Sequence, residues 1–167
     1  MATLSTRPSP FSFPNPVNEV AARLVAAGVL VMALAVAVLG QTWILVPLAY
    51  GFVARVAAGP RYSPLALLVT RVAVPRLGVE PRNVPGPPKR FAQGMGAVMT
   101  VAAVALAYGF GETGAARVLA GGIVAAATLE SVFAVCIGCK IFAGLMRLGV
   151  VPERVCRECA DISLRRA

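Results

Sequence analysis

All four cysteines of the chain lie in its last 32 residues, as Cys136-Ile-Gly-Cys139 and Cys156-Arg-Glu-Cys159. Sixteen residues separate the pairs, so the array reads C-x2-C-x16-C-x2-C. That spacing suits a closed structural zinc site built from Cys136, Cys139, Cys156 and Cys159 as four thiolates. It suits equally a relay in which one pair passes electrons, or a sulfane sulfur, to the other by thiol exchange. The bland alternative is that Cys136 and Cys139 act as small apolar residues at a helix end and the second pair is incidental.

Lys140 directly follows Cys139, and its ammonium would favour a thiolate. Two effects oppose it. An apolar helix end raises a thiol's pKa, and a helix C-terminus presents negative dipole character. The absence of histidine removes imidazole bases, haem histidines and mixed histidine-cysteine zinc sites from consideration. Neither pair sits in a strand-turn-helix pattern, which argues against a thioredoxin-like fold within this chain.

Glu130 is an ionisable group deep in an apolar run, where a carboxylate normally faces a partner or a cavity. Counted from the outer turns, Arg55 reaches a similar depth, so the two are expected to form an intramembrane charge pair. Such a pair works either as a helix clasp or as part of a proton or anion path. A third element, Pro85-Gly86-Pro87-Pro88-Lys89-Arg90-Phe91, reads as a stiff approach to a span, with Lys89 and Arg90 at the lipid headgroups.

The elements that must position these residues are membrane helices. The chain is 58% hydrophobic, with a mean hydropathy of +0.78, too apolar for a soluble fold of 167 residues. Leu24 to Ala54 is 31 residues without a charge and Phe91 to Phe110 another 20, against roughly 20 needed to cross the hydrocarbon core. Spans are expected at Val20–Leu39, Thr42–Ala58, Phe91–Phe110 and Arg117–Cys139, with Trp43 at an interface and Pro47 as a kink. Ala33-Leu34-Ala35 resembles a signal-peptide cleavage pattern, but the apolar character continues well past it.

Ser63-Pro64 reads as a helix start, and the apolar Leu65 to Val74 that follows is too short to span. It is read as an interfacial helix or as a helix packed on the bundle. Ile141 to Val151 is expected to continue the last span along the interface. Matching residues at an offset of 67, Arg23 with Arg90 and Met32 with Met99 among them, are compatible with a duplication and with mere composition.

Six Lys and Arg in the loop from 59 to 90 and six from Lys140 onward, against almost none in the turns at 40–42 and 111–116, place both termini in the cytoplasm. The net charge of +9 is therefore read as flanking charge facing the lipid bilayer, not as a nucleic-acid surface.

Val17-Asn18-Glu19 leading to Arg23, Pro88-Lys89-Arg90-Phe91-Ala92, and Cys136-Ile-Gly-Cys139-Lys140 together resemble a family of small bacterial integral membrane proteins described as domain of unknown function 4395. The resemblance covers about residues 15 to 162. It implies an inner-membrane location and a cysteine motif, and supplies no activity, substrate or cofactor.

The expected fold is an all-α membrane protein, a four-transmembrane-helix bundle of two hairpins with an interfacial helix and a cysteine-containing cytoplasmic tail. Its parts are a leader (1–16), a first hairpin (17–58), a Pro/Arg-rich cytoplasmic loop (59–90), a second hairpin (91–139) and an interfacial extension with the CxxC tail (140–167). The expected function is a relay of thiol redox equivalents or sulfane sulfur at the cytoplasmic face. Cys136 and Cys139 would be the primary pair and Cys156 and Cys159 the second, with a soluble thioredoxin-like or sulfurtransferase partner. The alternatives are a zinc-clipped scaffold and a small transporter using Glu130 and Arg55.

Overall fold

The computed structural model describes residues 13–156 together with Cys159, so most of the leader and the end of the tail lie outside the described residues. Helix α1 (Glu19–Ala37) starts where the Asn18 side chain accepts the backbone N–H groups of Val20 and Ala21, with Glu19 in the first turn against the positive helix end. Its buried face repeats every three to four residues through Ala21, Val25, Val29, Ala33 and Val36.

After a turn through Gly40, which takes a positive φ of 69°, a 3-10 turn (Thr42–Ile44) leads into α2 (Leu45–Ala58). Pro47 sits in the first turn of α2, where its missing N–H leaves no helical bond unmade, and so it starts the helix rather than kinking it.

Helix α2 ends at Ala58, as the glycine and proline that follow suggest, with Gly59 at a positive φ of 66°. Past it come a 3-10 turn (Gly59–Arg61), a non-helical Tyr62-Ser63, then α3 (Pro64–Leu68), a π-helical turn (Val69–Ala73) and α4 (Val74–Leu77), which with α2 make up the apolar stretch Thr42–Leu77. Ala66 and Val69 are buried in the same core as α1 and α2, so this segment belongs to the bundle. Leu65 packs over Gly28 of α1, where a Cβ would stand 2.7 Å from its methyl.

A two-residue antiparallel ladder, β1 (Val17–Asn18) with β2 (Asn83–Val84), then ties the start of α1 to the approach to α5. The Gly86 N–H donating to Asn15 reinforces it.

Helix α5 (Gly86–Val104, continued by a π-helical turn Ala105–Gly109) begins five residues before the expected Phe91. Pro87 and Pro88 occupy its first turn, where helical N–H groups have no partner anyway, so the proline run starts the helix and places Lys89 on it. Helix α6 (Thr113–Phe133) is shorter than the expected fourth span. Ala134 adopts a left-handed φ of 55°, and Cys136 is extended and opens a separate helix, α7 (Ile137–Arg147).

Four helical runs are long and apolar enough to cross a membrane: Glu19–Ala37, Thr42–Leu77, Gly86–Gly109 and Thr113–Phe133. Sequential hairpins are not their main packing units. Helix α1 lies chiefly against α6, and α2 chiefly against α5, with α5 adjoining α6. Small side chains permit the approach: Ala116, Ala120 and Ala127 of α6 meet Ala33 and Val36 of α1, and Phe52 of α2 fits against Gly96 of α5.

Candidate functional site

Cys136 is the residue that caps the N-terminus of α7, and Cys139 lies in that helix's first turn. The expectation that the pair closes the C-terminus of the fourth span is overturned by the break at Ala134. The dipole argument reverses with it, since unsatisfied N–H groups now face Cys136 and favour negative charge there. Both thiols are free and half-buried.

The Cys139 thiol hydrogen-bonds to the Cys136 sulfur and holds Cys136 below the ordinary thiol range, against burial and the Glu130 charge, with Lys89 adding to the lowering. Cys139, as donor in that bond and itself buried, is pushed up. The two thiols titrate as a pair, with Cys136 the lower and Cys139 the higher.

The seating of this pair depends on Gly138. A Cβ there would stand 2.5 Å from the Ala92 Cβ and 2.6 Å from its Cα, both on α5 and neither able to yield. Phe91 and Phe142 pack beside the contact with ring centroids 5.7 Å apart. The glycine therefore lets the start of α7 lie directly on the first turns of α5, next to Lys89.

Lys89 Nζ donates to Glu130 Oε1 at 2.6 Å, and both side chains are largely buried. This corrects the expected pairing of Glu130 with Arg55. Helix α5 lies between α2 and α6, so its Lys89 reaches the α6 carboxylate first. Arg55 instead donates from Nε to Gln93 at 2.9 Å and from Nη1 to Ser63 at 3.1 Å, with its guanidinium 4.5 Å from the Phe52 ring centroid. Ser63 opens α3 as expected, but its hydroxyl receives Arg55 and makes no cap bond.

Lys140 is exposed, so the cation facing the thiols is Lys89. Arg90, expected at the headgroups beside Lys89, donates to the Val56 carbonyl.

Cys156 and Cys159 are joined to each other with an S–S distance of 2.05 Å, and their sulfurs are not available as thiolates. Among the described residues no three cysteine or carboxylate side chains gather so as to hold a metal ion, and the four-sulfur zinc site does not assemble.

Lys89, Gln93, Ser63 and Gly138 are the residues of this region that sequence reasoning did not assign to it. Lys89 and Gln93 stand one helical turn apart on α5, and that i, i+4 spacing of polar side chains in an apolar run was the available signal.

No curated protein and no solved structure matches the chain. A family model does, over residues 17–147, a stretch that takes in Lys89, Glu130, Cys136 and Cys139 and stops short of Cys156. The chain belongs to the family described as Domain of unknown function (DUF4395).

Proposed function

We propose that the protein is an integral membrane thiol–disulfide relay whose working dithiol is Cys136 and Cys139. The membrane location is supported by four apolar helices that carry large outward-facing side chains, Val31, Val46, Val98 and Val118 among them. The redox reading rests on one observation: a CxxC pair at a helix N-terminus, with Cys136 as the capping residue and both sulfurs free, beside a buried lysine paired to Glu130. A structural role requires no buried charges beside free thiols.

The exchange is balanced within the chain. The Cys136 thiolate attacks one sulfur of the Cys156–Cys159 disulfide, forming a mixed disulfide and releasing the other cysteine as a thiolate. Cys139 then gives up its proton to the leaving thiolate and attacks Cys136, expelling the remaining tail cysteine. One dithiol is oxidised and one disulfide reduced, with no external oxidant. Reoxidation of the tail pair falls to a soluble thioredoxin-like partner. A partner that delivers sulfane sulfur would instead leave a persulfide on Cys136. The Lys and Arg asymmetry supports placing this chemistry at the cytoplasmic face.

Removing Cys139 tests the reading. In the Cys139→Ser protein the Cys136 mixed disulfide can be lost only by return attack of the freed tail thiolate, so acid quenching and alkylation are expected to capture it as a Cys136–tail cross-linked peptide by mass spectrometry under non-reducing conditions. Absence of any Cys136 adduct would refute the relay.

The pH dependence is a second test. A depressed Cys136 value means that its thiolate is already present below the ordinary pH and is lost only as pH falls through the lowered value. Its alkylation midpoint should therefore lie below that of an ordinary thiol and that of Cys139 above it. Equal midpoints for the two would overturn the assignment of Cys136 as the attacking sulfur.

A further inference from the structure

The buried cluster beside the dithiol contains two cations and one carboxylate. Arg55 is 5% exposed and Lys89 9%, and only Glu130 offsets them. Arg55 is also incompletely satisfied. Gln93 takes Nε and Ser63 takes Nη1, while Nη2 is buried with no hydrogen-bond partner among the described residues. Gly51 leaves room for this head group, since a Cβ there would stand 3.2 Å from Nη1. A buried guanidinium with an unmet donor is an arrangement proteins normally avoid, and Glu130 is the carboxylate whose charge reaches it.

The groups that face Cys136 are Cys139 from its own helix, Lys89 from α5 and Glu130 from α6. When Cys136 carries a proton, the cluster is one negative charge short. When it is ionised, two anions balance two cations. In a low-dielectric setting that balance is worth far more than in water, and it requires a counter-ion for each anion. Lys89 cannot fully serve Glu130 and a thiolate together, whereas Arg55 has an unused donor.

We propose that Arg55 is a positioning residue for the Cys136 thiolate: its unpartnered Nη2 receives the Glu130 carboxylate when Lys89 turns from Glu130 to the ionised sulfur. Glu130 thereby exchanges one cation for another, and the thiolate gains Lys89 without leaving a buried carboxylate unpaired. Arg55 acts only through Glu130 and touches neither sulfur. The inference rests on the thiol-exchange reading for its purpose, but its test reads ionisation and not exchange.

The test is the alkylation midpoint of Cys136, followed by iodoacetamide labelling and mass spectrometry on the full-length protein in detergent. Glu130→Gln releases Lys89 and should lower the midpoint by about one pH unit. Arg55→Gln ties Glu130 to Lys89 and should raise it by about as much. In the Glu130→Gln background, Arg55→Gln should have no further effect, because the carboxylate through which it acts is gone.

Arg55→Lys covers the case in which the glutamine variant does not fold. It keeps the charge but lacks a fork that serves Gln93, Ser63 and Glu130 together, and it should raise the midpoint only where Glu130 is present. An Arg55 effect of equal size with and without Glu130, or none in either, overturns the exchange of partners. The two readings fail separately. A midpoint cycle as described with no trapped Cys139→Ser adduct sinks the relay and leaves the network, and a trapped adduct with an Arg55 effect independent of Glu130 does the reverse.

Discussion

The two ends of the bundle use their cations in opposite ways. At the turn end, Arg117 of α6 lies on the outside and donates to the Ala37 and Val38 carbonyls at the close of α1, at 3.0 and 3.2 Å. The core beneath it is apolar throughout, formed by Val36, Leu45, Ala103, Ala116 and Ala120. At the other end Arg23 does the same outward work, its guanidinium on the Ser131 and Val132 carbonyls where α6 closes.

That end also turns Arg55 and Lys89 inward, beside Glu130 and the dithiol. Outward caps are enough to satisfy helix ends and hold antiparallel neighbours in register. Inward charges add desolvation cost that packing does not require. The asymmetry marks one end as the place where charge has a use.

Substitutions at each end test that contrast. The largest effect is expected from Lys89→Met, which breaks the buried ion pair and leaves Glu130 only the spare Arg55 donor, and should cost about 3 kcal/mol, seen as a clear fall in Tm in detergent. A stability equal to wild type would mean that Glu130 is readily solvated and the cluster is not a dry one.

Gly138→Ala comes next. Forcing a methyl into Ala92 should cost about 1–3 kcal/mol and, by lifting α7 from α5, raise the Cys136 alkylation midpoint. A destabilised protein with an unmoved midpoint would separate the packing of α7 from the ionisation of its cap.

The smallest effect belongs to Arg117→Gln. It removes exposed cap bonds that water replaces and should cost about 1 kcal/mol or less. A loss as large as that of Lys89→Met would erase the difference between the two ends.

Much of the scaffold was legible from hydropathy and breakers alone. The spans beginning near Glu19 and ending near Gly109 follow from uninterrupted apolar runs, because a backbone shielded from water must bond within its own segment. Boundaries failed where local signals have two readings. Pro87 and Pro88 look like loop punctuation, yet a proline pair is also at home in a first helical turn, and this moved Lys89 from a headgroup anchor to a buried partner. The break at Ala134 carries no sequence mark, since alanine favours helix. It is the seating of Gly138 on Ala92 that accompanies a new helix there.

The residue types available for chemistry could be read from the sequence alone: four cysteines in two CxxC pairs, no imidazole, and a few charges set in apolar runs. So could the solvent those runs demand, because hydropathy and length are additive along the chain. Which cation faces the thiols and which carboxylate pairs with which base came from the tertiary structure. Such choices depend on distances between helices that are remote in sequence. Lys89 and Glu130 are 41 residues apart and meet because α5 lies against α6, and Cys136 is an N-cap because α7 turns back onto α5. Periodicity tells a helix which face is apolar, but the identity of the neighbour on that face comes only from packing.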